Sequence, residues 1–429
     1  MTLRNKKVQA GILAAATILI LIILLPGKGG KKNSHHPVRG INAVITNEMS
    51  DTASLVKLDR DMRYFMQKWQ IRGMQLSILR NDSLVYAKGY GLADQFSAEE
   101  MTPGHIMRVA SVSKLITAAG IMKLVENGKI SLSNKVFAPG GILADTLYTN
   151  HITDKGYYDI TVEQLLRHEA GLTIRRGDPM FTTRDIMTIY NLDEAPDAKA
   201  LTSIAVRRRL GYTPGKGHEY SNFGYLLLSL IIEKVTGTEY EQWMQQNVLS
   251  PAGCVDMHLA YNYFEQKYPN ETRYHMQDND PPVPEFNNSA DSVVRCYGGN
   301  DIRALKGAGA WVCSAAELAR FVASIDGRPQ VPDILSKKSV REMTLFSEDH
   351  KFGLGWNDTD PLKGWLRTGT LSGTSAYIMY YPDGECWILI TNTHNWKGPR
   401  FSRTLRNFVK QCKDRYDAKI PARDLFELI

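Results

Sequence analysis

Cysteine is scarce in this sequence: there are five in 429 residues, and no two of them form a Cys-x-x-Cys pair. An odd number leaves at least one thiol free, so a disulfide framework is not implied. No spacing of Cys and His matches that of a zinc site. We therefore expect no metal ion, and no motif indicates a cofactor.

Long hydrophobic runs are also rare, because only residues 10–26 are apolar over a length that matters to a membrane. This excludes a transporter with many spans. Arg4, Lys6 and Lys7 precede the run, and a basic start before an apolar run is typical of an export signal or a single anchor. No small-x-small cleavage site follows it. We favour an uncleaved signal-anchor helix at 10–26 with residues 1–9 in the cytoplasm, and a cleaved signal that yields a secreted protein is the alternative.

Acidic residues are absent from residues 1–40, which hold seven of the 52 Lys and Arg residues. In residues 41–429 the other 45 basic residues are balanced by 45 acidic ones. The net charge of +7 therefore belongs to the N-terminal segment. Residues 41–429, which we call the body of the chain, thus have no net charge, and this argues against nucleic-acid binding through a broad basic surface. We expect no nucleic-acid partner.

Two pairs of β-rich runs lie at opposite ends of the body. Residues 74–80 and 84–91 flank Asn81-Asp82-Ser83, and residues 375–381 and 385–392 flank Pro382-Asp383-Gly384. Both patterns predict hairpins, since Asn, Asp, Pro and Gly favour turns.

Between these runs the chain is mostly helical or irregular, and an amphipathic helix is predicted at 399–414. The pattern predicts an α+β fold in which helices flank one antiparallel sheet, with a helical subdomain beside it. We assign residues 27–49 to a linker and residues 50–429 to one domain.

The first motif with chemical meaning is Ser111-Val112-Ser113-Lys114, which opens an apolar helical segment. Lys114 lies three residues after Ser111 and shares its helix face. A serine hydroxyl needs an adjacent base to act as a nucleophile, and a partly desolvated lysine can serve. The helix N-terminus favours the anion that forms during attack. The pattern alone is weak, because Ser54 and Lys57 repeat it on a solvated stretch.

The second motif is Tyr220-Ser221-Asn222, which also enters an apolar helix. Positive charge near Tyr220 would lower the pKa of its phenol and let it pass protons. The amide of Asn222 could hold Lys114 or a substrate carbonyl. Tyr148-Thr149-Asn150 matches the same pattern in a polar stretch, and we treat it as a decoy.

The third motif is Arg367-Thr368-Gly369-Thr370, directly before the second β-rich pair. These residues suit a sheet edge that faces a cleft, where the glycine lets backbone approach a substrate. The N–H of Thr370, with that of Ser111, could form an oxyanion hole. Arg367 could bind a substrate carboxylate through two hydrogen bonds. Taken alone, Arg-Thr-Gly is a common turn.

Together and in this order, the motifs resemble the Ser-x-x-Lys, Tyr-x-Asn and Lys-Thr-Gly or His-x-Gly set of the serine β-lactamase and penicillin-binding protein superfamily. The nearest branch is the class C β-lactamase-like one, with its D-peptidase and esterase relatives. The similarity extends over about residues 50–415 and includes GYGLAD at 89–94, LLRHEAGLT at 165–173 and FGLGW at 352–356.

The resemblance implies catalytic roles for Ser111, Lys114 and Tyr220, with Ser111 acylated and the other two sharing acid and base work. Which of them takes the first proton stays open. It implies substrate-binding roles for Asn222 and for the third motif. Arg367 departs from the family's Lys or His; it can hold charge but cannot relay a proton.

The predicted function is a membrane-anchored serine hydrolase of the cell envelope that forms an acyl-enzyme with amide, lactam or ester carbonyls. Its domain would lie on the periplasmic side of the cytoplasmic membrane, and its partners would be small molecules or peptides, such as cell-wall fragments. We rank a β-lactamase or D-Ala-D-Ala-type carboxypeptidase first. A small-molecule esterase of the same fold, or a receptor that is acylated and turns over slowly, is the alternative.

Overall fold

Both predicted hairpins form in the computed structural model of the protein, which describes residues 40–429. The first turns at Asn81 and Asp82, whose φ angles of +48° and +66° suit the tight reversal of a right-twisted hairpin. The strands are β1 (Gly73–Arg80), β2 (Ser83–Asp94), β3 (Glu99–Glu100), β4 (Met107–Arg108), β5 (His258–Leu259), β6 (Val283–Pro284), β7 (Ser292–Val293), β8 (Trp311–Cys313), β9 (Trp365–Leu371), β10 (Thr374–Tyr380) and β11 (Glu385–Thr391).

The main sheet is antiparallel and has the strand order β3-β2-β1-β11-β10-β9. Its two central strands come from opposite ends of the described chain, and they pair from Met74 opposite Thr391 to Arg80 opposite Glu385. Strands β4, β8 and β5 form a small second sheet, and β6 pairs with β7. Strand β9, which carries the third motif, is an edge strand of the main sheet.

The helices are α1 (Val56–Trp69), α2 (Ser113–Glu126), α3 (Thr146–Thr149), α4 (Val162–Leu166), α5 (Thr183–Tyr190), α6 (Ala198–Ala205), α7 (Asn222–Thr236), α8 (Tyr240–Met244), α9 (Ala315–Ala323), α10 (Lys337–Met343) and α11 (Phe401–Tyr416). Helix α11 confirms the amphipathic helix expected at 399–414. The predicted α+β class, with one antiparallel sheet between helices, is confirmed.

Helices α1 and α11 cover one face of the main sheet. In β11 the side chains alternate, so that Trp387 and Leu389 pack with these helices while Ile388 and Ile390 face the other core. Side chains in a strand point to opposite faces in turn, and here both faces are buried. The second core holds α2, α7 and α9, and it is the side from which the serine motif approaches the sheet.

The N-terminal boundary of the folded domain differs from the prediction. We assigned residues 27–49 to a linker, but Ile41 and Ile45 are buried and Asn42 donates to Asp256 at 2.9 Å. Residues 40–49 are therefore part of the packed domain, because they make contacts with distant segments that local composition does not reveal.

The signal-anchor predicted at 10–26 lies outside the described residues. Within residues 40–429, no helix combines the length and apolarity needed to cross a bilayer. The same part of the chain holds no group of three or more His, Cys, Asp or Glu side chains arranged to bind a metal. All five cysteines are buried free thiols.

Candidate active site

Ser111 lies where a 3₁₀ turn, Ala110–Val112, leads into α2. Ala110 has a φ of +50°, a region that residues with a Cβ rarely occupy, and this bend sets the direction in which Ser111 leaves the helix axis. Helix α2 is buried on all sides from residue 113 to residue 122. A helix that is buried on every side over most of its length belongs to the interior. As a result Lys114, in its first turn, is fully buried.

The ammonium of Lys114 is surrounded by three acceptors. It donates to Asn222 Oδ1 at 2.7 Å and to the carbonyl oxygen of Ala308 at 2.5 Å. Its third partner is Ser111 Oγ at 3.3 Å. Burial lowers the pKa of Lys114, and the nearby positive charge of Arg367 acts in the same direction.

Tyr220 lies two residues before α7, whose N-cap Ser221 accepts from the N–H of Gly224. The ring of His168 lies 4.4 Å from the Tyr220 ring, centroid to centroid, and its Nδ1 accepts the N–H of Ser221 at 3.1 Å. Burial lowers the pKa of His168 well below its usual value, so the imidazole is neutral and serves as a packing support.

The phenol of Tyr220 is unusually acidic. Burial by itself raises its pKa, but the charges of Lys114 and Arg367 outweigh burial. The polar groups of Lys114 and Ser111 beside the phenol also favour the phenolate, and the pKa of Tyr220 falls to about 8. A usable fraction of phenolate is therefore present near neutral pH.

Asn222 is the first residue of α7, and both the oxygen and the nitrogen of its side-chain amide form hydrogen bonds within the protein. Its Oδ1 accepts from Lys114, and its Nδ2 donates to Asp178 Oδ2 at 2.7 Å. Of the two partners expected for this amide, Lys114 and a substrate carbonyl, the structure shows Lys114. Asp178 was missed, since a single acidic residue in an irregular segment carries no pattern.

Arg367 is 1% exposed. Its Nε donates to the main-chain oxygen of Ser111 at 2.8 Å, and its Nη2 donates to the same oxygen and, at 3.3 Å, to Tyr220 Oη. We expected this guanidinium to bind a substrate carboxylate. In the structure its Nε and Nη2 donate within the protein, and Arg367 is not among the residues that line the cleft.

The other residues of the third motif lie on the outer edge of β9. Gly369 packs against the turn that carries Ser111, and a Cβ there would lie 2.2 Å from the carbonyl oxygen of Val109. Thr368 donates its N–H to Asn357 Oδ1 at 2.9 Å, away from β10. Since N–H groups two residues apart in a strand point the same way, the N–H of Thr370 points out from this edge into the cleft.

The cleft itself has a volume of about 330 Å³. Predicted residues that line it are Ser111, Tyr220, Asn222, Thr368, Gly369 and Thr370. Lining residues that the sequence did not single out are Phe181, Leu305, Ala308, Gly309, Asn357, Leu371 and Pro399. All three motifs thus meet at one opening, although they are far apart in the sequence.

The two decoy motifs are elsewhere. Ser54 is exposed and donates to the carbonyl oxygen of Lys419 at 3.0 Å. Tyr148 is buried against Phe137, with 6.4 Å between the ring centroids. Context in the sequence, namely a polar stretch without an apolar helix behind it, was the correct signal for rejecting both.

Comparison with known proteins identifies the family. The family model described as Beta-lactamase matches residues 58–409, which is most of the chain. The chain belongs to the β-lactamase family.

The curated relatives have low sequence identity to this chain, and the matched region covers only part of each of them. Protein flp of Staphylococcus aureus (strain N315) is 28% identical over 244 residues, which are 54% of this chain and 44% of that protein. The putative penicillin-binding protein PbpX of Bacillus subtilis (strain 168) is 26% identical over 281 residues, 65% of this chain and 60% of that protein. This β-lactamase-family chain therefore spans about half the length of these relatives.

Solved structures share the fold. D-amino acid amidase from Ochrobactrum anthropi SV3 has a TM-score of 0.62 and 21% identity, over 86% of this chain and 98% of that one. The octameric penicillin-binding protein homologue from Pyrococcus abyssi has a TM-score of 0.59 and 22% identity, over 83% and 77%. The β-lactamase/transpeptidase-like fold expected from the motifs is confirmed.

Proposed function

We propose that Ser111 is the nucleophile of an acyl-transfer site in which Lys114 and Tyr220 move the protons. The observation that carries the proposal is the single hydrogen-bonded cluster at the cleft. In it the serine hydroxyl contacts a buried ammonium, and both border a phenol whose pKa is about 8. A nucleophile, a base and a charge that supports the base are the parts that serine acylation requires.

Tyr220 is the better candidate for the first base. An ammonium has three N–H donors, and Lys114 has three acceptors around it, which fits its protonated form. If Ser111 Oγ accepts from Lys114, its own proton is free to pass to Tyr220. Lys114 then holds the phenolate charge, and Arg367 adds a second positive charge beside it.

The reaction then proceeds in two balanced halves. Ser111 Oγ attacks the carbonyl carbon while its proton passes to the Tyr220 oxygen, and the negative charge on the carbonyl oxygen is held by the N–H groups of Ser111 and Thr370. Tyr220 returns the proton to the leaving nitrogen or oxygen as that bond breaks. In the second half water attacks the ester carbonyl while its proton passes to Tyr220; the bond to Ser111 Oγ then breaks, Tyr220 returns the proton to that oxygen, and the carboxylic acid product is released.

Asn222 and Arg367 act as positioning residues in this scheme. Asn222 fixes the Lys114 ammonium and is itself held by Asp178. Arg367 ties the main-chain oxygen of Ser111 to the Tyr220 phenol. Thr368 and Gly369 shape the wall on which a substrate backbone can lie beside β9.

For the substrate we rank β-lactams and D-Ala-D-Ala-type peptides first. Support comes from the names of related proteins, a putative penicillin-binding protein and a D-amino acid amidase. The basic residues before the apolar run at 10–26 support an anchored protein of the envelope, where such substrates occur. A small-molecule esterase, or a receptor with slow deacylation, is the alternative.

The test uses the purified full-length chain with a fluorophosphonate and a fluorescent penicillin. We expect wild type and Ser54→Ala to be labelled equally, because Ser54 repeats the motif outside the cleft, and Ser111→Ala to remain unlabelled. Equal labelling of Ser111→Ala would refute the proposed nucleophile. A panel of D-Ala-D-Ala peptides, a chromogenic cephalosporin and p-nitrophenyl esters then ranks the substrates, and intact mass of the acyl adduct separates turnover from slow release.

A further inference from the structure

Asn357 is a polar residue of the cleft lining that has no role in the chemistry proposed above. It directly follows the block FGLGW and lies between α10 and β9. Trp356 beside it is 1% exposed, and a Cβ at Gly355 would lie 2.9 Å from the Cα of Leu115 in α2. The backbone next to Asn357 is therefore packed against the same helix that carries Lys114.

The backbone of Asn357 covers part of the outer edge of β9. Its N–H donates to the carbonyl oxygen of Leu366 at 2.8 Å, and the N–H of Leu366 donates to the carbonyl oxygen of Asp358 at 2.9 Å. Groups two residues apart in a strand point the same way, so these bonds use the edge on which the N–H of Thr370 faces the cleft. A substrate chain can therefore pair with β9 only beyond this point, toward Thr370.

The side-chain amide of Asn357 is fixed at its oxygen. Oδ1 accepts from the N–H of Thr368 at 2.9 Å and from the Thr368 hydroxyl at 3.3 Å. A main-chain N–H can only donate, so this contact places the amide oxygen on that side and Nδ2 on the other. Asn357 is half-buried and lines the cleft. Within residues 40–429 no group accepts from Nδ2, so its two N–H donors are available to a molecule in the cleft.

Asn222, the other asparagine of the lining, cannot offer such donors. The sequence indicated that its amide could meet a substrate carbonyl. In the structure its Nδ2 donates to Asp178 and its Oδ1 accepts from Lys114. Asn357 is thus the asparagine whose amide nitrogen is without an acceptor in the described part of the chain.

We infer that Asn357 determines specificity in the cleft, and that its Nδ2 donates to an oxygen acceptor of the substrate, such as a carbonyl oxygen. The substrate class is then an amide or ester that has a second acceptor close to the carbonyl that Ser111 attacks. A volume of about 330 Å³ is at the small end for ligand pockets, so only a few bonds separate the two groups. The inference rests on the proposed acyl transfer at Ser111.

The energetic basis is the cost of leaving Nδ2 without a partner. A substrate that fills the cleft but lacks an acceptor removes water from these N–H groups and gives nothing in return. Phe181, Leu305 and Leu371 also line the cleft, and their apolar side chains cannot accept the bond instead. A substrate with a suitably placed oxygen replaces the water and keeps the bond, so the two kinds of substrate should differ in kcat/KM.

The experiment measures hydrolysis of matched esters by the full-length protein. In one series the acyl chain carries either a carbonyl or a methylene group at successive positions from the scissile ester, and in the other series the leaving alcohol does. Rates of alkaline hydrolysis correct for the intrinsic reactivity of each ester. We expect kcat/KM for the best carbonyl compound to exceed that of its methylene match by about 10-fold, the effect of one well-placed hydrogen bond.

Asn357→Asp isolates the donor. It keeps an oxygen that can accept from Thr368 and removes both N–H groups, so the carbonyl preference should fall to about 2-fold or less. Matched compounds with an ammonium group in place of the carbonyl should become the better substrates, which a purely structural role would not produce. The ratio of two substrates at one pH cancels a common effect of the new charge on Tyr220. The control Asn150→Asp adds the same charge at an exposed residue outside the cleft lining, and it should retain the wild-type preference.

The outcomes separate this inference from the proposed function. Turnover that depends on Ser111 but shows no carbonyl preference in either series refutes the role of Asn357 and leaves the acyl transfer in place. A preference that survives in Asn357→Asp also refutes it, and Asn357→Ala takes its place in the comparison if Asn357→Asp is not labelled by the fluorophosphonate. If no ester is turned over, calorimetry of the same compounds with Ser111→Ala decides the inference. Equal affinity for carbonyl and methylene compounds then contradicts it, and tighter binding of the carbonyl compounds that is lost in Ser111→Ala/Asn357→Asp supports it.

Discussion

Replacing Arg367 with Gln tests how much of the acidity of Tyr220 comes from a neighbouring positive charge. The substitution removes the charge and keeps a shorter, polar side chain. Because the phenolate is the proposed base, kcat/KM should rise with pH through the pKa of Tyr220, which is about 8 in the wild type. Without Arg367 the phenolate loses support, so its pKa should rise and the activity profile should move to higher pH.

The size of the shift follows from the geometry. Nη2 of Arg367 lies 3.3 Å from Tyr220 Oη. At that distance two unit charges attract by about 1.3 kcal/mol in water and by about 5 kcal/mol at an effective dielectric constant of ~20. The guanidinium charge is delocalised and partly directed at the Ser111 carbonyl, so we take the lower part of that range. At about 1.4 kcal/mol per unit this is a rise of about 1–2 pKa units.

The assay is the pH dependence of kcat/KM, with active sites counted by fluorophosphonate labelling so that unfolded protein does not contribute. Ultraviolet titration of tyrosinate gives the pKa independently, with Tyr220→Phe as its blank. Arg367→Lys, which keeps a charge, should shift the profile less than Arg367→Gln does. A profile for Arg367→Gln that overlays the wild-type profile would show that the guanidinium does not tune the phenol, and the argument would fail.

Three further changes probe the remaining contacts. Asp178→Ala removes the acceptor that holds Asn222. We expect kcat to fall by about 10-fold with little change in melting temperature, since a hydrogen bond to a charged group is worth about 1.5–3 kcal/mol. An unchanged kcat would contradict the positioning role of Asp178. Gly369→Ala places a Cβ 2.2 Å from backbone oxygen, so labelling of Ser111 should be lost, while Gly224→Ala, whose Cβ meets nothing closer than 3.6 Å, should be labelled normally. Burial and a neighbouring carboxyl raise the pKa of Asp326 above its ordinary 3.8. Its contribution to the free energy of unfolding is therefore full below about pH 4 and declines as pH rises. Urea unfolding at several pH values should show this decline, and Asp326→Asn should flatten it.

Local patterns predicted the hairpins and the apolar helices, because turn residues and side-chain periodicity act over a few residues. They also located the three motifs and rejected Ser54 and Tyr148. Strand β9 was not predicted as a strand, since Arg367 and Gly369 interrupt the alternation of apolar side chains. The edge position expected for these residues is nevertheless the one they occupy.

The contacts that could not be predicted join residues that are far apart in the sequence. The direction of the Arg367 guanidinium depends on where the Ser111 carbonyl lies, 256 residues earlier. Asp178 and Asn222 are 44 residues apart. The packing of residues 40–49 depends likewise on Asp256 and Glu317. Local sequence patterns do not predict such contacts, because they depend on how the folded backbone brings distant residues together.

The pairing of β1 with β11 has a consequence for biosynthesis. A ribosome delivers Gly73–Arg80 long before Glu385–Thr391, so for most of translation the strand destined for the middle of the sheet has no neighbour on one side. An unpaired strand edge invites association with other chains. Premature termination anywhere upstream of β11 should therefore yield insoluble or degraded fragments and never a partially active enzyme.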